Sequence, residues 1–516
     1  MELSELQEVR RQKADALRTR RLDPYPTRSA RTHTTAQALA LFEERERDDA
    51  LVDGNTADAA TVVGRIASFR HMGKTIFAHL RDGYGDLQLY IRKDRLGDEL
   101  YESVLRLFDL GDFAQANGTL FRTKTGEVSL RVESITMLAK ALNAPPEKWH
   151  GVQDVEIRFR QRYVDLIANA PVRRVFEIRS RTVSAIRQFL DGRDYLEVET
   201  PTLQPLYGGA AARPFTTFHN ALGQTFYLRI ADELYLKRLL VGGFERVYEI
   251  CKDFRNEGID RNHSPEFTML EFYEAYGDYD SVAARTRDLV LEAARRTGRT
   301  VVPDGRGGDI DLELPWRDAT LHDLVSEAVG EPVDVGTPLT DVVALAEKRG
   351  VVLQPGWDAG EVVLELYEKL VEHTLLHPTF VRDYPVSARP LAREHRDDPR
   401  LTEAWDLVVA GTELATGYSE LVDAVEQRAR LTAQSIKAAG GDPEAMQLDE
   451  DFLRALEHGM PPTGGQGMGI DRLVMTLTGQ PVRETILFPV VRPEAGRGDI
   501  RPEAGRGDSR PEAGLP

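Results

Sequence analysis

The stretch ERVYEICKDFRNEGIDRNHSPEFTMLEFYEAY, residues 245–276, carries the densest chemistry in the chain. Two strand-like runs flank a polar loop, which predicts a hairpin presenting Arg255, Glu257, Arg261 and His263 at one end. Along the return strand, alternation places Phe267, Met269, Glu271 and Tyr273 on one face and Thr268, Leu270 and Phe272 on the other. A carboxylate among aromatics below an arginine-rich loop makes an odd core. It makes a good pocket for a ligand with both phosphate and ammonium groups. The same pattern also suits a salt-bridged hairpin on a sheet surface. Cys251, in the first strand, reads as a small buried apolar residue.

Two further segments lie towards the C-terminus. DLVVAGTELATGYSEL, 406–421, sets Asp406, Glu413 and Glu420 among apolar residues, and a turn near Gly411 folds it into a hairpin with Asp406 and Glu413 at one end. Paired carboxylates beside phosphates suit Mg²⁺, which keeps waters and takes one or two carboxylates plus phosphate oxygens; exposed strand charges are the plainer alternative. GQGMGIDRLVMTL, 465–477, places glycines before a helix that opens with Asp471 and Arg472. Backbone can approach a nucleotide there, although such a run also serves as a simple turn, and it lacks the Gly-Lys-Ser/Thr of a P-loop.

Upstream, Val175, Ile178, Val183, Ile186 and Phe189 mark a helix ending at Gly192, followed by the strand-like DYLEVETP closed by Pro201. Residues 61–142 change to five short β-type runs separated by HMGK, RDGYGD and KTGE, which predicts a small closed barrel of the OB type. Pro145-Pro146 reads as a linker. Residues 1–21 form a short amphipathic helix, either an RNA-contacting appendage or a helix packed on a neighbour. Residues 281–400 read as an insertion of support helices. The RPEAGRGD repeat from Arg492, with a nine-residue period, is too polar to bury a core and reads as a disordered tail.

The chain has 516 residues and a net charge of −18, so two or three domains are expected and indiscriminate nucleic-acid binding is excluded. Residues 61–140 carry +2 within that total, so nucleic-acid contact must be local. One cysteine excludes a disulfide framework. No apolar run reaches about 18 residues and the N-terminus is charged, so the expected place is the cytoplasm, with no membrane partner.

The helix–strand–Pro201 unit, FRNEG with its return strand, and GMGIDR resemble motifs 1, 2 and 3 of class II aminoacyl-tRNA synthetases. The barrel points to the subclass for Lys, Asp and Asn. KWHGVQDVEIRFRQRYVDLIAN, YGGAAARPF, YLRIADELYLKRLLVGGFERVYEI and SPEFTMLEFYEAY are similar to bacterial lysyl-tRNA synthetases over residues 61–491. The resemblance implies an α+β multidomain chain. Residues 1–60 are an N-terminal extension, 61–144 an OB-fold anticodon-binding barrel, 145–491 a catalytic domain with an antiparallel sheet flanked by helices, and 492–516 the tail.

It further implies that lysine attacks the α-phosphorus of ATP to give lysyl-adenylate, and that the lysyl group then passes to the 3′ end of tRNA(Lys). By position, Arg255 holds the α-phosphate and the lysine carboxylate and Glu257 reads the adenine amino group. Phe267 stacks on the base, Arg472 lies across its other face or on the γ-phosphate beside Gly469, and His263 sits near the terminal phosphates. Asp406, where relatives usually have glutamate, and Glu413 bind Mg²⁺, with two or three ions expected per subunit. Gly209 and Glu233 take the α-ammonium; Glu271, Glu420 and Tyr273 take the ε-ammonium. In the barrel, Phe77 stacks on the central uridine, with Arg70, Gln88 and Glu127 reading base edges or neighbours, although burial statistics alone place Phe77 in the barrel core. Motif 1 implies a homodimer.

Three carboxylates and a tyrosine suit a substrate with two ammonium groups, whereas an aspartate site needs a cation for the substrate side chain. Three positions depart from the family pattern. Thr416 stands where many relatives have an asparagine on the lysine carboxylate. DRNHS places Arg261 and Asn262 unusually, and Arg389 replaces a usual serine. The alternatives are a ligase that modifies elongation factor P, whose relatives lack the barrel, and an inactive tRNA-binding paralogue.

Overall fold

The computed structural model describes residues 3–53, 55–145, 153–439 and 447–492. Pro146 of the expected linker, and the repeat tail from residue 493, lie outside the described residues. The chain divides into two compact units between Gln153 and Asp154.

The first unit holds α1 (Glu5–Thr19), α2 (Thr35–Arg47) and five strands: β1 (Thr56–Met72), β2 (Thr75–Arg81), β3 (Asp86–Arg92), β4 (Phe113–Arg122) and β5 (Val128–Ala139). They close into a barrel in the order β1-β2-β3-β5-β4, with β3 and β5 parallel. Alternation makes the wall: Ile76, Ala78 and Leu80 of β2 and Leu87, Leu89 and Ile91 of β3 are buried inside. Each helix opens with a capping box, Ser4/Gln7 and Thr34/Gln37. Leu17 of α1 and Ala38 and Phe42 of α2 join the barrel's own apolar cluster. Residues 1–60 therefore share the barrel's core instead of standing apart, and β1 begins before residue 61. Arg10 of α1 donates to the carbonyls of Leu110 and Ala141, so α1 is a packed helix.

The second unit is built on an eight-stranded sheet. Its elements are α3 (Ala170–Asp191), β6 (Leu196–Glu197), α4 (Glu233–Val241), β7 (Arg246–Phe254), β8 (Glu266–Ala275), α5 (Tyr279–Thr297), β9 (Arg317–Thr320), α6 (Leu321–Val329), α7 (Leu339–Lys348), α8 (Ala359–Leu370), β10 (Thr379–Pro385), β11 (Leu401–Val409), β12 (Thr412–Ser419), β13 (Thr463–Gly469) and α9 (Ile470–Thr478). The strand order is β9-β10-β11-β12-β13-β8-β7-β6, antiparallel except for the two outermost pairs. One face packs on helices: Leu270 and Phe272 of β8 share a cluster with Ile178, Ile186 and Phe189 of α3, Leu289 and Val290 of α5, and Leu473 of α9. The β11–β12 hairpin turns at Ala410 and Gly411, both at positive φ (53° and 73°), as a two-residue hairpin turn requires.

The 281–400 stretch differs from a single insertion. α5 belongs to the main core, and β9 and β10 extend the edge of the main sheet, with Phe380 of β10 in that core. The helices α6, α7 and α8 gather around a cluster of their own that includes Leu324, Val342 and Leu366.

Candidate active site

The alternation that sends Leu270 and Phe272 to the helices turns Met269, Glu271 and Tyr273 the other way, into a cavity of about 400 Å³. Its walls come from the β7–β8 hairpin, the start of α4, β11, β12, β13 and the first turn of α9. One end is acidic and closed, the other arginine-rich.

At the acidic end stand Glu233, Glu271 and Glu420, respectively 6 %, 4 % and 2 % exposed. Lys237, one turn along α4 and fully buried, lies 2.5 Å from Glu233 and 2.5 Å from Glu420. Two of the three carboxylates thus share an internal ammonium. Glu271 keeps only the Tyr273 hydroxyl, which donates at 2.9 Å, and the Asp232 backbone N–H at 3.4 Å. Burial, with Glu233 and Asp253 nearby, holds the Glu271 carboxyl well above the usual carboxylate range. Burial also pushes Glu420 up to about 8 against the pull of Lys237. Gly465 of β13 forms the floor: a Cβ there would collide with Glu420 Oε1 and the Tyr273 ring. The glycine run is therefore strand, and its missing side chains make room for the pocket.

Replacing Lys237 by methionine would leave two buried carboxylates unpaired, with an expected cost of about 3–5 kcal/mol. Denaturant unfolding followed by tryptophan fluorescence reads this in the second unit, which holds Trp316, Trp357 and Trp405.

At the opposite end, the Arg255 guanidinium lies over the Phe267 ring, 5.2 Å from its centroid, and its buried Nε has no partner. No carboxylate reaches ion-pair distance of Arg255 among the described residues. Arg472 of α9 is tied at 2.8 Å to the Glu413 carbonyl and at 3.2 Å to its carboxylate, and at 3.4 Å to His263, which pairs with Asp260. Asp471 anchors this corner by accepting the Thr268 N–H at 2.6 Å and pairing with Arg179. Glu257, Asn262, Gly209 and Gly469 line the same cavity, while Arg261 is exposed and does not.

Asp406 and Glu413 lie on neighbouring strands across an irregular register. Asp406 Oδ2 is held at 2.5 Å by Arg389 and at 2.7 Å by the Tyr384 hydroxyl, while Oδ1 is buried without a partner. That orphaned oxygen, with the Glu413 carboxylate, fits one divalent cation whose other positions are water or phosphate oxygens. Arg389, unexplained by its sequence context, is the ion-pair partner of Asp406 and stacks on Tyr384 at 4.2 Å. The Thr416 hydroxyl lies 3.4 Å from the Trp405 carbonyl, which can only accept, and 3.2 Å from the Tyr418 hydroxyl. Glu372, in a 3₁₀ turn after α8, accepts the Glu413 N–H, and burial beside Glu413 pushes its carboxyl up to about 7.

On the barrel, Phe77 is half-buried on the outer wall between inward-facing Ile76 and Ala78, so it is not core. Its ring meets Tyr90 at 5.3 Å, and register places it opposite exposed Arg70. Glu127 accepts from Gln88 at 2.6 Å and pairs with His79 at 3.0 Å.

Sequence reasoning missed Lys237, Asp232 and Tyr418. Lys237 carried a legible signal, since it sits four residues after Glu233 on one helix face. Asp232 and Tyr418 depend on contacts between distant segments. Cys251 is buried, but its thiol faces carboxylates and not an apolar core.

A catalytic sheet with an acidic pocket, unpaired arginine and adjacent carboxylates, joined in one chain to a separate five-stranded barrel, defines a nucleotide-dependent acid-activating enzyme with a nucleic-acid-binding module. Residues 154–492 match the family described as tRNA synthetases class II (D, K and N), and residues 60–138 match the OB-fold nucleic acid binding domain. The lysine–tRNA ligase of Chloroflexus aurantiacus is 48 % identical over 95 % of this chain and 99 % of its own length. That of Roseiflexus castenholzii is 49 % identical over 96 % of this chain and its full length. The lysylphosphatidylglycerol biosynthesis bifunctional protein LysX of Mycolicibacterium vanbaalenii is 47 % identical over 95 % of this chain but 44 % of its own length. This chain belongs to the lysine–tRNA ligase family of class II tRNA synthetases. The family implies ATP as a substrate and a divalent metal. No helix among the described residues is long and apolar enough to cross a membrane.

Proposed function

We propose that the chain activates L-lysine with ATP and transfers the lysyl group to the 3′ end of tRNA(Lys). The observation that carries this is Glu271: a buried carboxylate with a tyrosine but no cation, at the closed end of a cavity whose far end carries a guanidinium with no anion. A ligand bearing an ammonium at one end and a carboxylate next to phosphate at the other answers both.

In this reading Glu271, Glu420 and Tyr273 hold the ε-ammonium, with Glu420 also paired to Lys237. Gly209 and Glu233 hold the α-ammonium, and Thr416 lies near the substrate carboxylate. Arg255 draws that carboxylate and the α-phosphate together, and its charge grows in value as negative charge builds on the pentavalent phosphorus. Phe267 and Glu257 take the adenine; His263, Gly469 and Arg472 take the distal phosphates. Asp406 and Glu413 would hold Mg²⁺, which when bound neutralises phosphate charge. No protein nucleophile is needed, because the lysine carboxylate attacks and pyrophosphate leaves.

Phe77, Arg70, Gln88 and Glu127 form the anticodon-reading surface. Leu487, Phe488 and Val490 are exposed, and Leu487 lies beside a groove on α3, which supports a homodimer through this face. The place of action is the cytoplasm. The barrel disfavours a protein-modifying ligase, and the joint presence of Arg255, Glu271, Asp406, Glu413 and Arg472 disfavours an inactive paralogue.

The test is lysine-dependent ATP–pyrophosphate exchange followed by charging of a tRNA with a UUU anticodon. Exchange without charging would favour the protein-modifying reading, and no exchange with any amino acid the binding module. Phe77→Ala is expected to weaken charging about 5- to 100-fold through tRNA affinity, the equivalent of one lost stack. Exchange should remain unchanged, and its loss would remove Phe77 from the anticodon surface.

A further inference from the structure

Behind Glu271 lies a second set of acids that none of these roles uses. β7 carries Glu249, Cys251 and Asp253 at alternate positions, and Glu249 stands opposite Glu271 in the register. Asp232, the residue before α4, closes the group. Asp232 and Asp253 are 0 % exposed, and neither reaches the cavity wall. The single Cys251 thiol proton has three carboxylate oxygens in reach, both oxygens of Asp232 at 3.1 and 3.2 Å and Asp253 Oδ1 at 3.5 Å. One oxygen each of Asp232, Asp253 and Glu271 lie within 4.8 Å of one another, and Asp253 Oδ2 has no partner.

The cations nearby are already engaged or distant. Arg229 pairs with Glu249 at 2.7 Å and reaches Asp253 at 3.4 Å, Lys237 is spent on Glu233 and Glu420, and Arg255 lies beyond ion-pair distance. Three carboxylates so close in a dry interior cannot all stay ionised without a cation or a proton. A metal is poorly served, because both Asp232 oxygens face the thiol proton. The cavity reaches only Glu271, so the cation that arrives from outside meets Glu271 first.

We propose that Asp232, held by Cys251 and Asp253, is a specificity-determining positioning residue that acts through Glu271, and that entry of the substrate's side-chain ammonium expels a proton shared by Asp232, Asp253 and Glu271 in the empty site. This rests on the lysine reading of the cavity. The balance is simple: an ammonium enters, one carboxyl O–H is lost, and the proton goes to solvent. Burial holds all three carboxyls above their usual range in the empty protein, and repulsion by neighbouring carboxylates adds to it at Asp232 and Glu271. The groups facing them are Arg229 before β7, Glu233 and Lys237 on α4, Glu249 and Cys251 on β7, Arg255 beyond it, Tyr273 on β8 and Glu420 after β12. With one oxygen from each of three buried carboxyls within 4.8 Å of one another, the group keeps a proton that the incoming ammonium must displace, and removing it costs less as pH rises. Lysine affinity therefore increases with pH until the group ionises unaided, while the lysine side chain stays charged to about pH 10.

Calorimetric titration of the full chain with lysine, in buffers of different ionisation heat between pH 6 and 8, reads the effect directly. The wild type is expected to release about one proton per lysine, with Kd falling by up to about tenfold per pH unit. In Asp232→Asn, proton release and the pH slope should largely disappear. The KM for lysine should rise about tenfold or more, with that for ATP within about twofold. Asp253→Asn, which removes the next carboxylate, should flatten the slope in the same direction if Asp232→Asn does not fold. A wild type with no proton release, an Asp232→Asn with the wild-type slope, or a stoichiometric metal lost with Asp232 would each overturn the proposal. Absence of lysine-dependent exchange in the wild type would instead overturn the functional reading beneath it.

Discussion

Glu271→Gln is expected to lower kcat/KM for lysine about 10²- to 10³-fold while the Kd for ATP changes less than about threefold. The carboxylate is 4 % exposed and bonded only to the Tyr273 hydroxyl and one backbone N–H. Glutamine keeps the volume and one acceptor but removes the charge, and its amide N–H₂ would point donors at the substrate ammonium. A charged hydrogen bond in a buried site is lost and a donor clash replaces it, so the penalty exceeds that of a surface pair. Glu233 and Glu420 are both tied to Lys237, so neither is free to move into the place of Glu271. Steady-state exchange with lysine varied, beside equilibrium ATP binding, separates the two effects. An equal loss of lysine and ATP affinity would show that Glu271 supports the sheet and does not read the side chain.

Arg255→Ala should act on the rate, lowering kcat for exchange about 10²- to 10³-fold, in the range seen when one preorganised charge at a reacting centre is deleted. The guanidinium is seated over Phe267 and has no protein anion, so its charge is held for a ligand at no cost of reorganisation. Arg255→Lys should recover little, because a point charge cannot bridge carboxylate and phosphate in one plane. Single-turnover adenylate formation at saturating lysine and ATP isolates this step. A variant with normal kcat and only a raised KM would assign Arg255 to ground-state binding instead.

Much of this site was legible because strand alternation needs no tertiary information. Once 266–275 is a strand, Met269, Glu271 and Tyr273 share a face, and the structure puts all three in the cavity. The turn at Gly411 followed from composition in the same way, with the positive φ at Ala410 and Gly411 as its signature. The aromatic surface on the barrel was less secure: burial statistics alone placed Phe77 in the core, and only the buried Ile76 and Ala78 beside it decide that its ring faces out.

By itself, then, the order of residues determined the two folds, the face of each strand and the chemical types gathered at the site, since these depend on local periodicity and turn geometry. Tertiary structure alone decided which charges answer one another. Lys237 silences Glu233 and Glu420, Arg389 takes half of Asp406, and Asp232 stands behind Glu271. Apart from Glu233–Lys237, one turn of a single helix, those pairings join separate segments, and in a buried site their energies turn on distances of a few ångströms that no spacing along the chain encodes.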